Sequence, residues 1–174
     1  MPDRIAVIES LNDKLATLME TAALVNSNHN LEAVVSRAVQ SACRLTGAET
    51  GSLLLLDATS GELQFEIVLG QQGTNLKHLR IPKGQGISGW VAENNTAIII
   101  PDVQADERFY RVTDASTDFV TNSMIAVPLH IKGKVIGVLQ AINKQHGVFD
   151  HSDLKLAIAL ANLVAPAIED TRTK

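Results

Sequence analysis

Ile81-Pro82-Lys83-Gly84-Gln85-Gly86-Ile87-Ser88-Gly89-Trp90-Val91-Ala92-Glu93-Asn94-Asn95, continuing through Ile98-Ile99-Ile100-Pro101-Asp102 to Tyr110, is the stretch on which the fold turns. It holds the densest glycine cluster and the only Trp and Tyr of the chain. Gly84, Gly86 and Gly89 match G-x-G-x-x-G, and Asp102 follows an apolar run where a dinucleotide-binding fold places its ribose-binding acid. The surroundings remove that reading. The segment feeding the glycines, Leu76-Lys77-His78-Leu79-Arg80, is charged and runs into Pro82, whereas a Rossmann unit needs an apolar strand there. Gly86 to Glu93 allows about two helical turns before Asn94-Asn95, too few to cross between parallel strands.

Upstream, Ser52-Leu53-Leu54-Leu55-Leu56-Asp57 is a strand apolar on both faces. Ser60-Gly61 turns the chain into the alternating Glu62 to Leu69, its antiparallel partner. Gly70 to Asn75 is a polar loop, and Leu76 to Ile81 is a candidate third strand. Downstream, Val112 to Asn122 is polar and is expected as a loop with a short helical turn. Ser123 to Ile131 then pairs through Lys132-Gly133-Lys134 with Val135 to Ile142, the clearest hairpin in the chain. Pro128, without an amide donor, predicts a bulge or an unpaired edge.

Helices flank this β-rich centre. Ile8, Leu15 and Ala22, with Leu11, Leu18 and Val25 three residues later, form two heptad series that predict a dimerisation helix over residues 1–28. Ile5 and Met19 widen the stripe and also allow a helix packed on its own domain. Asn28-His29-Asn30 caps a second helix from Leu31 to about Leu45, with Val34, Val35, Ala38 and Ala42 on its apolar face and Gly47 just past its end. The last helix starts at Asp150 as N-cap, with Phe149 and Leu154 as a hydrophobic staple and Asp153 in the first turn. It is apolar nearly all round from Leu156 to Ile168, and Pro166 is expected to kink it or mark its fraying end.

Composition excludes several functions. At 174 residues and 45% apolar content the chain fits one globular domain, residues 29–170, with a tail at 171–174. A net charge of −4 without a basic block argues against nucleic acid as a partner. The longest apolar run, Leu156 to Ala161, is far too short for a membrane span, and a single cysteine fits a reducing compartment; the expectation is a cytoplasmic protein. His146 and His151 near Asp150 and Asp153 read better as a polar helix cap than as a metal site. Cys43 sits mid-helix, where nothing lowers a thiol pKa, and no serine lies in G-x-S-x-G. No catalytic residue is expected.

Taken together, Ile81-Pro82-x-Gly84-x-Gly86-Ile87-x-Gly89-x-Val91-Ala92, Pro101-Asp102-Val103 with Asp106, Arg108 and Phe109, Ser123 to Leu129, Gly137-Val138-Leu139 and Asn143-Lys144 resemble the GAF domain family over about Leu31 to Ile168. The resemblance implies an α+β, profilin/PAS-like fold: a central six-stranded antiparallel sheet, the N- and C-terminal helices on one face and a small-molecule pocket on the other. It also implies a sensory regulatory domain of bacterial-type signal transduction, not an enzyme, acting as a homodimer through its terminal helices on an output domain or partner protein.

For ligand-binding residues the pocket segment offers Ile100, Asp102, Val103, Arg108, Phe109 and Phe119, with Ser123 at the start of the next strand. Arg108 suits an anionic group and the phenylalanines a ring. A structural ion pair between Arg108 and Asp102 explains those two equally well. Cyclic-nucleotide-binding members carry N-K-x(n)-F-x(3)-D-E, and here Asn143, Lys144, Phe149 and Asp153 match, with Leu154 in place of the Glu. The resemblance implies that Lys144 and Asp153 pair as a brace and makes a cyclic nucleotide an alternative ligand. No metal, haem or bilin is expected, since bilin binding needs a Cys beside a His in the pocket segment. Free methionine sulfoxide reductases of this family use several cysteines, which a lone Cys43 does not supply. A ligand-free dimerising spacer is the remaining alternative.

Overall fold

The computed structural model describes residues 3–27, 30–69, 79–109 and 120–172. Phe119, the polar loop after Leu69, the first half of the candidate third strand and most of the Val112 to Asn122 loop therefore lie outside the described residues. Six strands, β1 (Ala48–Leu56), β2 (Leu63–Val68), β3 (Arg80–Ile81), β4 (Ile98–Ile100), β5 (Met124–Ile131) and β6 (Lys134–Lys144), form one antiparallel sheet ordered β3-β2-β1-β6-β5-β4. The helices are α1 (Arg4–Ser27), α2 (Leu31–Thr46), α3 (Gly86–Asn94) and α4 (His151–Arg172), with a short 3-10 turn at Val103–Ala105.

The central strands β1, β6 and β5 bury both faces, and their alternation sorts side chains between two cores. Leu53, Leu55, Ile125, Val127, Leu129, Leu139 and Ala141 face α2 and α4. Leu54, Met124, Ala126, Val138 and Ile142 face the other way, toward Ile87 and Val91 of α3 and Val103 of the 3-10 turn. Both hairpins form as expected. The β5–β6 turn is the two-residue Lys132-Gly133, both at positive φ (50° and 80°), so Lys134 already belongs to β6.

Local chemistry sets the helix ends. Asn30 accepts the Glu32 N–H at 2.9 Å as N-cap of α2, and Gly47, at φ 71°, ends it with its N–H donated to the Cys43 carbonyl at 2.9 Å. Asp150 and Asp153 cap α4 reciprocally: the Asp153 N–H donates to Asp150 Oδ1 at 2.9 Å and the Asp150 N–H to Asp153 Oδ2 at 3.1 Å. The Asp153 amide holds the Asp150 carboxyl below its ordinary value.

Two expectations change. β1 begins at Ala48, not Ser52, because the long β6 pairs back to it at Ala48↔Lys144 and Thr50↔Ile142. α4 does not end at Pro166 but runs on to Arg172; Pro166 sits on the exposed side, where the carbonyl left without its N–H partner can face solvent. The expectation at Pro128 holds: β5 pairs with β6 at Val138, and a bulge follows directly between Leu129 and His130. β4 pairs only with residues 124–126, so on that side of β5 no ladder exists at Pro128.

In α1 the heptad residues divide. Val25 is buried and Leu18 packs on the helix-side core, whereas Ile8, Leu11 and Leu15 are exposed together with Ile5 and Met19. The face docked on the domain is partly polar, with Thr17 and Thr21 buried and Thr21 Oγ1 2.7 Å from Ser41 Oγ. No helix among the described residues is long and apolar enough to cross a membrane.

Candidate functional site

The face of the sheet opposite the terminal helices carries the candidate site. Gly84 and Gly86, at φ 75° and 73°, turn the chain into α3. Gly89 then packs so tightly on that turn that a Cβ would come within 2.7 Å of the Gly84 carbonyl carbon. The glycine fingerprint thus closes a turn–helix unit over the sheet. Ile87 and Val91 point down into the core, with Trp90 half-buried beside them.

Ile100, Val103 and Phe109 converge in this apolar layer. Val103 is tied down by its N–H, donated to the Asn122 carbonyl at 2.8 Å, and Gln104 Nε2 donates to the Thr121 carbonyl at 2.9 Å. Asp102 is exposed and caps the 3-10 turn, accepting the Ala105 N–H at 3.4 Å. Arg108 pairs with Asp106, not with Asp102 as a loop-holding pair would have required: Nη2 to Oδ2 is 2.7 Å and Nε to Oδ1 2.9 Å. Asp106 has the shorter chain reach, two residues away, and its Oδ1 also accepts the Arg108 N–H at 2.8 Å. The guanidinium lies 4.8 Å from the Trp90 ring centroid, a cation–π contact that joins the loop to α3. Its hydrogen bonds hold the Asp106 carboxyl below its ordinary range, and Asp106 in turn holds the Arg108 guanidinium charged.

Ser123 stands apart from these residues and beside the brace. Its Oγ accepts the Lys144 N–H at 3.2 Å, and its own N–H donates to Asn143 Oδ1 at 3.2 Å. Lys144 Nζ donates to the Thr46 carbonyl and to Asp153 Oδ2, the latter at 3.0 Å, and lies 5.8 Å from the Phe149 ring centroid. An ammonium thus meets the negative end of α2 and a carboxylate the positive end of α4, each favoured by the helix dipole it faces. Asn143, Lys144, Phe149 and Asp153 together join two helix ends to the sheet.

Residue-by-residue reading of the sequence missed a polar pair in the sheet itself. Ser52 and Gln140 are register partners on β1 and β6, and Ser52 Oγ donates to Gln140 Oε1 at 2.7 Å. They are 1% and 6% exposed and, by strand alternation, share the face of Leu54, Val138 and Ile142. A buried hydrogen-bonded pair in an apolar face is costly unless satisfied, so it marks a place where the fold spends polarity. The available signal was Gln140 itself, the one polar side chain between Ile136 and Ile142. Cys43 lies on the other side of the sheet: a Cβ on Gly51 would sit 3.1 Å from Val39 and 3.2 Å from Cys43 Sγ, and burial pushes the thiol up to about 11. Among the described residues no group of His, Cys, Asp or Glu is placed to hold a metal ion.

Comparison with known proteins agrees with this architecture. The sequence pattern of the GAF domain matches residues 30–168. A probable 3',5'-cyclic phosphodiesterase of Caenorhabditis elegans, pde-5, is 30% identical over 133 residues, which cover 71% of this chain and 18% of that protein. The chain therefore spans under a fifth of that relative's length. Among solved structures, the GAF domain of a phosphoenolpyruvate-protein phosphotransferase from Coxiella burnetii superposes with a TM-score of 0.82 at 23% identity, covering 94% of this chain and 96% of that one. A free methionine-R-sulfoxide reductase from Neisseria meningitidis, solved with its substrate, gives 0.76 at 24% identity, covering 92% and 90%.

Proposed function

Since this chain belongs to the GAF domain family, we propose that it is a regulatory domain that senses a small molecule on the α3 side of its sheet and passes the change to an output domain or partner through α1 and α4. The observation that carries the reading is the Ser52–Gln140 pair, a satisfied polar group set into an apolar face beneath α3 and the segment Ile100 to Phe109. Ser52 takes the carboxamide oxygen of Gln140, which leaves the amide nitrogen as the group offered to a ligand acceptor. Ile100, Val103 and Phe109 supply apolar walls in this reading, with Arg108 and Asp102 as its charged margin. The exposed apolar stripe of α1 supports a homodimer in which the terminal helices meet.

A cyclic nucleotide is the first ligand to test, because the phosphodiesterase relative and the Lys144–Asp153 brace favour it. An enzymatic reading by analogy with the reductase is disfavoured by Cys43: its thiol lies on the helix side of the sheet and is protonated at neutral pH. The test is a thermal-shift titration with cyclic GMP and cyclic AMP alongside native mass spectrometry of the freshly purified protein. A ligand at a hundred times its dissociation constant adds about 2.7 kcal/mol of stability. Gln140→Leu is expected to abolish that shift while the unliganded protein still melts cooperatively. No shift, together with no retained mass, sinks the sensing reading and leaves the ligand-free spacer.

A further inference from the structure

The β1–β6 ladder ends at Leu55↔Gly137. Beyond it β1 passes into its hairpin with β2 at Leu56↔Leu63, while β6 folds back on β5 at Ile131↔Lys134. The diverging strand ends leave a cavity of about 610 Å³, a size that accommodates a small organic molecule. Its borders come from both layers of the fold: Ala92 and Glu93 of α3 on one side, Glu169 and Arg172 of α4 on the other. Neither Arg108, Gln140 nor Ser52 lines it, so it is distinct from the site described above.

The lining has an apolar part and a cationic one. Leu56, Val135 and Ile136 present hydrocarbon, the first two only half-buried. Among the charges, Asp57 is taken by Arg80 at 3.2 Å and by the amides of Thr59 and Ser60, and Glu169 lies 4.0 Å from Arg172. Lys83, Lys134 and Glu93 enter no ion pair among the described residues, which leaves two ammonium groups against one carboxylate. Two bare glycines make room for these side chains. A Cβ on Gly61 would fall 2.8 Å from Lys83 Cδ, and one on Gly84 2.9 Å from Glu93 Oε1.

We propose that this cavity is a second ligand site, for a small amphiphilic acid whose hydrocarbon body lies on Leu56, Val135 and Ile136 and whose anionic head is held by Lys83 and Lys134. Because its walls belong to α3 and to the last turn of α4, occupancy clamps the ligand-side layer to the terminal helix. The site does not depend on the sensing function proposed for the other pocket. The experiment is calorimetric titration of the whole chain at low ionic strength with straight-chain carboxylates from hexanoate to decanoate. Affinity is expected to rise about fourfold per methylene, as burial of hydrocarbon requires. Lys83→Glu/Lys134→Glu is expected to weaken decanoate about tenfold, whereas Arg108→Ala leaves it unchanged. Should the double variant melt early, Lys134→Gln alone is expected to weaken binding in the same direction. No saturable binding of decanoate, a loss smaller than threefold in a folded double variant, or equal binding of decylamine overturns the proposal.

Discussion

Asn143, the next-to-last residue of β6, occupies a left-handed backbone conformation, φ 62°. Asn tolerates that region better than most side chains. Its carboxamide is fully used: Oδ1 accepts the Asn122 and Ser123 N–H groups at 2.7 and 3.2 Å, and Nδ2 donates to the Val120 carbonyl at 3.0 Å and Glu49 Oε2 at 3.2 Å. Asn143→Ala is expected to cost about 3 kcal/mol in urea unfolding, from the stranded amides and the backbone strain together. Asn143→Gly relieves the strain alone, so it should recover about 1 kcal/mol of that loss. Equal losses for the two variants would show that the backbone term is negligible. At the loop, Asp106 has a folded pKa below its unfolded one, so its contribution is present above the ordinary carboxylate range and is lost as acid titrates it through the depressed folded value. Below about pH 4, Asp106→Asn should therefore show a flatter decline of stability than the wild type. Identical acid limbs would mean that the Arg108 pair contributes nothing to folding.

Elements in this domain are decided by close backbone approaches as much as by side-chain patterns. A Cβ on Gly137 would collide with the Leu54 carbonyl oxygen on the neighbouring central strand. Gly137→Ala should part β1 from β6 at the point where their ladder ends, lowering stability by about 3 kcal/mol or more while α2 and α4 remain helical. Circular dichroism with denaturant titration separates that outcome from a tolerated substitution, in which the midpoint stays put. The short strands β3 and β4, two and three residues long, illustrate the limit of pattern reading. Too brief to show a period, they exist because β2 and β5 offer them edges. The glycine-rich fingerprint is the converse case, a nucleotide-like string whose turn and short helix serve packing over a sheet.

At the scale of the molecule, the sheet separates two cores with different work. The helix-side core is continuous and apolar, and α1 continues from it with Ile8 and Leu15 each 56% exposed. Replacing both with Glu should leave the melting of the isolated domain nearly unchanged, as surface substitutions do, yet shift sedimentation from dimer to monomer at micromolar concentration. A dimer that survives the double substitution would assign association to another face. The second core, with its Ser52–Gln140 pair, keeps polarity where a chain built only for packing would place hydrocarbon.

The helices and both hairpins were legible in the chain alone, because each rests on local periodicity, caps and turn residues that act within a few positions; the family rested on a resemblance carried by several motifs in order from Ile81 to Lys144. Lys144 and Asp153 were also legible, through a motif whose members lie close together in sequence. The partner of Arg108, the early start of β1, the division of the α1 stripe and the pairing of Ser52 with Gln140 emerge only in the folded chain. The two members of that pair stand 88 residues apart. Each of these depends on which distant backbone arrives alongside, and a hydrogen bond formed across a sheet leaves no period in either strand that makes it.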